Sequence, residues 1–422
     1  MNCRNCKKKL KSKILDLNSQ PVSSVFYNKP KKNLKKYSLD LYICRNCNLI
    51  QFKELAPLDD MYGQTYGYRT SLSNYMIEHI KEKHDRIIKK KILSNKDAIL
   101  DIGSNDGTFL NYFAKLPKDY KLNGVDPSAK KFLNLYDKKI DVSIDFFNLK
   151  FAKKSFKKNS FKLITSFAMF YDVEDPNGFC EGINYLLSKN GRWIAEFSYF
   201  PMLLSNLTYD QICHEHVTYY TLTTFKQIIE KNGLKLSEIR FNEINGGSIE
   251  VVCVKKSSNV FVNKKSINMV LDNEKTINDN SYNNLQVRID NCKSVLNFLF
   301  STIKSSEIIG YGASTKGNIV LNQCGINSKQ MKYICDANPE KYGKYTPGSN
   351  IKIISKKEMR RKKPKYLLVL IWSFRNEVIK QEIDFIKAGG KLVIHLPVLH
   401  IVDKNNYKTY LQNSFENFAY SY

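Results

Sequence analysis

From about residue 97 onward, short apolar segments alternate with longer stretches in which apolar residues recur at helical spacing. Apolar segments of about four to eight residues, bounded by polar turns, are typical of buried strands. The strands predicted here occupy residues 98–102, 121–125, 161–166 and 192–197. A helix is predicted ahead of them from the spacing of Tyr75, Ile77, Ile80, Ile87 and Ile88. Strands that alternate with helices favour an α/β fold with a largely parallel sheet.

A second series of strands follows a polar, helix-like stretch at residues 270–307. Its predicted strands occupy residues 307–310, 331–335, 366–371 and 391–395. A chain of 422 residues is longer than one hydrophobic core usually organises. We therefore predict three domains: a small N-terminal module (1–60), a Rossmann-like middle domain (61–290) and a second Rossmann-like domain (291–422).

The N-terminal module contains two cysteine pairs, Cys3-x-x-Cys6 and Cys44-x-x-Cys47, together with many lysines and few apolar residues. Four thiolates suit one tetrahedral Zn²⁺ ion, and a core this thin needs a metal to hold it together. A redox role for one CxxC pair is the alternative, but two pairs in one short segment favour metal binding. An ion ligated by four cysteines has no open coordination position, so we assign it a structural role.

The first predicted strand of the middle domain leads into a glycine-containing turn and the start of a helix. Asp101 precedes the turn, which contains Gly103, Asn105 and Gly107, and Asp126 ends the next predicted strand. Glycines allow the backbone to approach a ligand closely, and a carboxylate after the second strand can accept hydrogen bonds from ribose hydroxyls. The G-x-x-x-G spacing departs from the dinucleotide fingerprint. It resembles the S-adenosylmethionine (SAM) loop of class I methyltransferases; an ordinary turn without ligand is the alternative.

Residues 209–220 concentrate ionisable and phenolic side chains, among them His214, Glu215 and His216. The whole chain has six histidines, so two within three positions form a notable cluster. A histidine beside a carboxylate is a common general base near neutral pH. The H-x-H spacing excludes the zinc-protease motif, which needs H-E-x-x-H on a helix. A hydrogen-bonded structural cluster is the alternative interpretation.

A second strand–turn–helix segment contains Gly310, Gly312, Ser314 and Lys316, and Asp336 follows the next predicted strand. The segment is close to a dinucleotide loop but carries a lysine in the turn. We expect these residues to bind the diphosphate and nucleoside of a substrate, with Lys316 as a point charge. A Rossmann-like scaffold without a ligand and a second dinucleotide site are the alternatives.

The formal net charge of +27 raises the question of a polyanionic partner. The lysines are spread along the whole chain, however, and no basic run is interleaved with stacking aromatics as in an RNA-binding strand. We therefore expect no nucleic-acid partner. No apolar run reaches the roughly 18–20 residues that span a bilayer, and the first residues lack the apolar core of a signal peptide. We expect a cytoplasmic protein without membrane contact.

Five motifs in this chain, taken in order, resemble those of the sugar C-methyltransferases that act on nucleotide-linked keto-deoxy sugars. They are the paired cysteines and residues 100–107, 210–220, 245–248 and 310–317. The resemblance spans essentially the whole chain. It implies a zinc-binding N-terminal module, a Rossmann-like middle domain that binds SAM, and a C-terminal α/β domain that helps to bind the nucleotide sugar.

The resemblance also implies roles for individual residues. His216 would be the general base with Glu215 supporting its charge, and either Tyr66 or Tyr68 would face the sugar. The chemistry agrees, because a C–H bond becomes acidic enough only beside a carbonyl that stabilises the enolate. Such a reaction needs a base at the carbon and hydrogen-bond donors for the enolate oxygen.

One departure from the family concerns the residues just before the implied base. Some members carry a tyrosine three residues before it and an aspartate two residues before it, where this chain has Cys213 and His214. The identity of the sugar therefore does not transfer, and His214 remains a competing base. A zinc-containing RNA-modifying or RNA-binding protein and a sugar O- or N-methyltransferase are the alternative functions. The sequence leaves open the nucleotide, the methylated carbon and the oligomeric state.

Overall fold

The computed structural model describes residues 1–57, 61 and 69–412. Tyr66 and Tyr68 lie outside these described residues. The strands are β1 (Ser12–Leu15), β2 (Ser19–Pro21), β3 (Lys36–Ser38), β4 (Leu41–Ile43), β5 (Ile50–Phe52), β6 (Ala98–Ile102), β7 (Lys121–Val125), β8 (Ile140–Ser143), β9 (Phe161–Phe167), β10 (Leu187–Ser198), β11 (Thr218–Tyr219), β12 (Leu234–Asn242), β13 (Ser248–Lys255), β14 (Ile308–Tyr311), β15 (Tyr333–Asp336), β16 (Lys352–Ser355), β17 (Tyr366–Val369), β18 (Lys391–Ile394) and β19 (His400–Val402). The helices are α1 (Asn74–Lys89), α2 (Thr108–Ala114), α3 (Leu149–Ser155), α4 (Pro176–Leu186), α5 (Phe200–Asn206), α6 (Leu222–Lys231), α7 (Lys264–Glu274), α8 (Asp279–Thr302), α9 (Thr315–Cys324), α10 (Lys356–Arg361), α11 (Arg375–Gln381), α12 (Ile383–Lys387) and α13 (Tyr407–Gln412).

The middle of the chain forms an open, twisted sheet. Within the described residues it has seven strands in the order β12-β13-β10-β9-β6-β7-β8. Strands β6 to β10 run parallel, whereas β13 is antiparallel to both of its neighbours. The chain moves from β6 to one side through β7 and β8 and then crosses to β9 on the other side. A crevice therefore opens at the carboxyl ends of β6 and β9, where open α/β sheets bind their ligands.

Helix α1 lies against this sheet through one apolar face and one buried cation. Met76, Ile80 and Ile87 lie on the buried face at helical spacing. Lys83 is also buried, and its Nζ donates to Glu196 Oε2 at 2.6 Å and to Glu250. A buried ammonium is tolerated only when it is paired, so these two strand carboxylates fix the position of α1 on the sheet.

The C-terminal part of the chain forms a second sheet, which in the described residues has the order β16-β15-β14-β17-β18-β19. All pairings in it are parallel except that of β19 with β18. The reversal of strand order falls between β14 and β17, so a second crevice opens at the carboxyl end of β14. The predicted α/β class, with two Rossmann-like sheets, is confirmed.

One strand of the N-terminal sheet comes from the middle of the chain. Its order within the described residues is β1-β4-β5-β11, and β11 pairs antiparallel with β5 through Thr218 opposite Gln51 and Tyr219 opposite Ile50. The N–H of Phe52 also donates to the carbonyl of Val217 at 3.1 Å. The N-terminal module is therefore joined by backbone hydrogen bonds to the segment that contains His216, the predicted base.

Helix α8 packs against all three parts of the molecule. Its buried residues belong to the same hydrophobic cluster as strands of the N-terminal and C-terminal sheets: Tyr282, Leu285, Ile289, Leu296 and Phe300. Gln286 Oε1 accepts the N–H of Asp16 at 3.0 Å, and Arg288 donates to the Leu204 and Ser205 carbonyls in the last turn of α5. The domain boundaries predicted near residues 60 and 290 stay predictions, and the second of these falls inside α8. No helix in the described part of the chain is long and apolar enough to cross a membrane.

We predict that Ile289→Ala destabilises the protein, because Ile289 is fully buried between the N-terminal and C-terminal sheets. Truncation of a buried isoleucine typically costs about 2–5 kcal/mol. Urea unfolding followed by tryptophan fluorescence measures the loss. Val287→Ala is the matched control on the same helix, because Val287 is 56% exposed and should change stability by about 0.5 kcal/mol or less. Equal effects of the two substitutions would show that α8 does not carry this core.

Candidate cofactor and substrate sites

The four paired cysteines converge into one cluster. Their Sγ atoms all lie within 4.8 Å of one another, with Cys3 and Cys47 at 3.6 Å and Cys6 and Cys44 at 3.4 Å. A disulfide needs about 2.05 Å between its sulfurs, so neither pair is bonded. A tetrahedral zinc with Zn–S distances of about 2.3 Å places its sulfurs about 3.8 Å apart. The cluster therefore fits a structural Zn²⁺.

The two cysteine knuckles share one backbone design. The residue after each pair, Lys7 (φ 61°) and Asn48 (φ 58°), has left-handed backbone, which turns the chain back around the sulfurs. Gln51 Nε2 donates to Cys3 Sγ at 3.2 Å, and Arg4 donates to Gln51 Oε1 at 3.0 and 3.1 Å through its backbone N–H and guanidinium. Such supporting bonds orient the ligands of a metal site. Since Gln51 lies opposite Thr218 in the sheet, the metal site is continuous with β11.

The loop after β6 has the conformation of a ligand-binding turn. Gly103 and Gly107 both have φ near +75°, where a side chain would be strained. A Cβ at Gly103 would lie 2.8 Å from Met169, and one at Gly107 would lie 2.7 Å from the Tyr136 ring. The turn is therefore tight enough to require glycine at both positions.

Asp126 closes this loop from the end of β7. Its Oδ2 accepts the N–H of Asn105 at 2.8 Å, and its Oδ1 accepts the N–H and the hydroxyl of Ser128, both at 2.6 Å. A carboxylate offers about four acceptor positions, so Oδ2 retains one for a ligand. Asp126 thus both shapes the loop and faces the crevice.

A cavity of about 380 Å³ lies at the switch point between β6 and β9. Among its described lining residues, none is Lys, Arg or His, and seven carry carboxyl groups: Asp101, Asp126, Asp145, Asp172, Glu174, Asp175 and Glu196. Burial raises the pKa of Asp101 to about 7, although a 2.6 Å hydrogen bond from Thr165 acts in the opposite direction. In a chain of net charge +27, this is an acidic cavity suited to a cationic ligand.

Glu196 stays ionised at the end of β10. Burial acts to raise its pKa, but the charge of Lys83 and the hydrogen bond from His79 outweigh burial and lower the pKa to about 2. His79 Nε2 lies 2.9 Å from Glu196 Oε1, and Asn242 Nδ2 donates to Oε2 at 2.5 Å. Glu196 is therefore ionised at the cavity, with its charge paired to the buried Lys83.

The loop after β14 repeats the geometry of the first loop. Asp336 Oδ2 accepts the N–H of Ala313 at 2.7 Å, and Oδ1 accepts the N–H of Asn338 at 2.8 Å. The N–H of Gly312 donates to the Cys335 carbonyl at 2.8 Å, as that of Gly103 does to Val125 in the first loop. The same fold element thus occurs twice, each time with a carboxylate at the end of the second strand.

A second cavity, of about 370 Å³, opens beside this loop. Gly312, Ser314 and Asp336 line it, whereas Gly310 and Lys316 are not among its described lining residues. Four cationic side chains face it: Arg69, Lys341, Lys344 and Lys356. Three acidic side chains face it as well: Asp336, Glu340 and Glu377. The excess of cations makes this cavity suitable for an anion.

The segment before α1 separates the two cavities. The N–H of Thr70 donates to Asn105 Oδ1 at 3.0 Å, and that of Ser71 donates to Asp106 Oδ2 at 2.9 Å. Met76 lines both cavities. Ligands in the two cavities would therefore approach one another across the start of α1.

His216 lies next to the acidic cavity. Its ring packs on Tyr171 with centroids 4.1 Å apart, and Tyr171 directly precedes the lining residue Asp172. Burial, together with the positive charge of Lys316, lowers the pKa of His216 to about 3. The imidazole is therefore uncharged at physiological pH.

His214 and Glu215 face other surroundings. The His214 ring meets Tyr37 of the N-terminal module edge-on at 6.2 Å. Burial lowers the pKa of His214, while the charge of Glu215 acts to raise it. Within the described residues, neither oxygen of the buried Glu215 carboxylate has a hydrogen-bond partner. The charge of Glu215 therefore acts on His214. The predicted role of Glu215, to support the charge of His216, stays a prediction.

Several residues at these cavities were not predicted from the sequence. Glu196 ends a predicted strand and could have been found by the strand-end carboxylate pattern that identified Asp101 and Asp126. Arg69, Lys341, Lys344 and Lys356 gave no signal, because they are ordinary members of a lysine-rich composition. Their convergence depends on the tertiary fold.

Three protein-family models match the chain in order. A zinc-binding domain matches residues 3–62, a methyltransferase domain matches 72–239, and a C-methyltransferase C-terminal domain matches 243–397. A C-methyltransferase named NovU, from Streptomyces niveus, is 25% identical over 371 residues, which cover 87% of this chain and 88% of that protein. These matches show a SAM-dependent methyltransferase that has the C-terminal domain of C-methyltransferases.

Two solved structures are each similar to less than half of this chain. A SAM-dependent methyltransferase from Aquifex aeolicus is 17% identical and covers 42% of this chain and 97% of its own, with a TM-score of 0.31. The PH0226 protein from Pyrococcus horikoshii is 16% identical and covers 44% of this chain and 94% of its own, with a TM-score of 0.35. The assignment does not depend on these two likenesses.

We predict that the C-methyltransferase binds one Zn²⁺ per chain through the four clustered cysteines. Cys44→Ser should lose the ion and lower the thermal unfolding temperature, because the N-terminal sheet closes around the cluster. Elemental analysis of the purified protein measures the zinc. Cys292→Ser is the control, since Cys292 lies outside the cluster and should leave the zinc content unchanged. Freshly purified protein without zinc would contradict the assignment.

We predict that Asp126→Ala weakens SAM binding roughly tenfold or more. A hydrogen bond to a charged acceptor contributes about 1.5–3 kcal/mol, and the substitution also frees the N–H of Asn105 in the loop. Titration calorimetry with SAM measures the loss. Asp141→Ala is the matched control, because Asp141 is exposed on the neighbouring strand β8. Unchanged SAM affinity of the Asp126 variant would remove Asp126 from the cofactor site.

Proposed function

We propose that this C-methyltransferase transfers the methyl group of SAM to a carbon next to the carbonyl of a nucleotide-linked keto sugar. The observation that carries the proposal is the opposite charge of two adjacent cavities. The described lining of the first has seven carboxyl groups and no basic side chain, whereas four cations and three carboxyl groups face the second, an excess of one positive charge. SAM carries a net positive charge, and a nucleoside diphosphate is an anion, so each cavity suits one of the two reactants.

The repeated loop geometry supports a nucleoside in each cavity. Asp126 and Asp336 hold the same position after the second strand of their units and accept the same kind of backbone hydrogen bond. A carboxylate at this position can accept hydrogen bonds from ribose hydroxyls. We infer that Asp126 binds the ribose of SAM and that Asp336 binds the sugar of the substrate's nucleoside. Asp101, Gly103, Asn105 and Gly107 complete the first site, and Gly310, Gly312 and Ser314 complete the second.

The cations of the second cavity supply the diphosphate contacts. Lys341 Nζ donates to the Ala313 carbonyl at 2.8 Å, so it is held at the mouth of the glycine turn. Lys356 Nζ lies 4.8 Å above the Tyr311 ring and donates to Gln381 at 2.6 Å. We propose Lys341, Lys344 and Lys356 as the diphosphate ligands. An anion at this position also benefits from the N-terminus of α9.

The proton must leave the sugar carbon before the methyl group can be attached. His216 is the proposed base, since it is neutral, buried and packed on Tyr171 beside the acidic cavity, whereas His214 faces the N-terminal module. The imidazole takes the proton, and the electron pair of the C–H bond forms the enolate. SAM supplies the methyl group as a sulfonium. As the enolate carbon forms the new C–C bond, the S–CH3 bond would break, the sulfur would keep its electron pair, and S-adenosylhomocysteine would leave. His216 would then release its proton to solvent.

Unsatisfied buried groups near His216 indicate where a polar ligand enters. Within the described residues, no hydrogen-bond partner contacts Asp210 Oδ1, either oxygen of Glu215 or the hydroxyl of Tyr219. Buried polar atoms in native proteins are nearly always satisfied, so these atoms require a ligand, a water or another part of the chain. Tyr66 or Tyr68, which lies outside the described residues, remains the proposed tyrosine that faces the sugar.

The decisive experiment incubates the full-length enzyme with labelled SAM and a panel of nucleotide-linked 4-keto sugars. Mass analysis should find one added methyl group on carbon in at least one of them. The matching 4-hydroxy sugars are the control, because without a carbonyl the C–H bond is not acidic enough to react. If the hydroxy sugars were methylated on oxygen or nitrogen instead, the enzyme would be a sugar O- or N-methyltransferase and the proposed C-methylation would be wrong.

We predict that His216→Asn lowers turnover by about 10²–10⁴-fold and abolishes enzyme-dependent exchange of the sugar's α-hydrogen with deuterated water. Exchange should occur in the wild type without SAM, because enolate formation precedes methyl transfer. His214→Asn is the matched control and should keep exchange. Loss of exchange in the His214 variant alone would move the base two residues upstream, and exchange in both variants would place proton abstraction on another group.

A further inference from the structure

A segment of the N-terminal module lies along the second cavity. Ser24 and Phe26 come from the loop between β2 and β3, and both are among the residues that line this cavity beside the glycine turn of the C-terminal unit. Ser24 is buried and Phe26 is half-buried. The C-terminal unit therefore does not form the cavity alone, because part of the wall belongs to the zinc-binding module.

Hydrogen bonds fix this segment on the C-terminal unit. The N–H of Tyr27 donates to the Tyr345 carbonyl at 3.1 Å, and the N–H of Tyr345 donates to the Tyr27 carbonyl at 2.7 Å. Tyr345 in turn pairs with Lys352, the first residue of β16. Asn318, in the first turn of α9, donates through Nδ2 to the Ser23 carbonyl at 2.7 Å. The loop is therefore held at both ends of the stretch that faces the cavity.

The Phe26 ring lies next to the residues proposed for the nucleoside. Lys341 Nζ is 5.0 Å from the centre of this ring. The same ammonium lies 3.5 Å from Asp336 Oδ2 and donates to the Ala313 carbonyl at 2.8 Å. One side chain thus separates Phe26 from the carboxylate proposed to bind the ribose. Because a nucleobase is attached directly to its ribose, a nucleoside bound at Asp336 brings its base close to Phe26.

The described lining of this cavity has two further aromatic side chains, which come from other strand ends. Tyr311 ends β14, and Lys356 Nζ lies 4.8 Å from the centre of its ring. Phe374 follows β17, which flanks β14 on the side away from β15 and Asp336. Phe26, by contrast, neighbours the chain that pairs with β16, on the β15 side. It is therefore the aromatic side chain on the Asp336 side of the cavity.

We propose that the zinc-binding module is a substrate-binding element: Phe26 forms the wall of the second cavity against which the nucleobase of the nucleotide sugar packs. An aromatic side chain can contact the flat face of any nucleobase. This inference rests on the proposed function, since it needs a nucleotide in this cavity. It gives the module a direct contact with the substrate, in addition to the structural role of its zinc.

The test measures nucleotide affinity by titration calorimetry with full-length, zinc-loaded enzyme. UDP, dTDP and GDP are titrated into the wild type, and the tightest binder is then used for the variants. Phe26→Ala should weaken its binding about tenfold, as the loss of one base–aromatic contact typically does. Affinity for inorganic pyrophosphate, which has no base, should be unchanged, because the Ala313 carbonyl still holds Lys341. Affinity for SAM should be unchanged as well, since Phe26 is not among the described residues that line the first cavity.

Two further variants separate contact with the base from support of the fold. Phe26 packs against the hydrophobic cluster shared by the N-terminal and C-terminal sheets, so its truncation also lowers stability. Phe26→Leu keeps an apolar side chain there but lacks the flat ring, so it should stay folded and still bind the nucleotide more weakly. Tyr27→Ala is the matched control, because this neighbouring aromatic residue is not among the described lining residues and its pairing with Tyr345 uses backbone atoms. It should keep the wild-type nucleotide affinity.

Equal losses of nucleotide and pyrophosphate affinity in Phe26→Ala would overturn the inference, because the ring would then act only by placing Lys341. Unchanged nucleotide affinity in both Phe26 variants would overturn it as well, and a loss in Phe374→Ala instead would place the base at Phe374. In either case the proposed function would stand, since the wild type binds the nucleotide. Wild-type enzyme that binds none of the three nucleotides would overturn the proposed function itself and, with it, this role of Phe26.

Discussion

The pairing of β5 with β11 is the interaction on which the site depends. It joins Gln51, which donates to a zinc-site sulfur, to Thr218, which lies two residues after His216. Two-residue strands hold little pairing energy of their own, so β11 exists because the N-terminal sheet offers it an edge. A cysteine-ligated zinc with no open coordination position can therefore support catalysis indirectly, through the fold, without contacting the reactants. It stabilises the sheet that fixes the backbone beside His216, the proposed base.

Charged residues are spread evenly along the sequence, but the fold gathers acidic side chains at one cavity. Lysines are spread along the whole chain and the net charge is +27, and yet the cavity at the first switch point is lined by carboxyl groups. Burying so many acids is costly unless cations or hydrogen bonds offset them, and Lys83 and His79 do so for Glu196. The same arrangement fixes α1 on the sheet. Stability and ligand selection thus share one set of charges in this region.

The sequence allowed the parts of the fold governed by local pattern to be predicted. The strands from 98 to 102 and 121 to 125 have the predicted bounds, and the predicted helix over 75–88 corresponds to α1. Strand β11 could not be found, because two residues carry no periodicity and their strand state depends on a partner 167 positions away. Lys316 was recognised by its turn, but the direction of its side chain depends on Asn245 from another unit. A sequence motif can thus identify a residue, but tertiary contacts determine which neighbouring group its side chain binds.

The two Rossmann-like units show how one turn can be put to different uses. Asp126 and Asp336 hold their loops with the same pair of backbone hydrogen bonds, so the polypeptide geometry is common to both. The difference lies in the side chains that the loops carry outward. The first loop directs Asn105 and Asp106 to the segment that divides the cavities, and the second extends Lys316 to Asn245 in the turn before β13. The repeated scaffold therefore provides a cavity at the strand ends of each unit, while its loop side chains connect each cavity to residues of other segments.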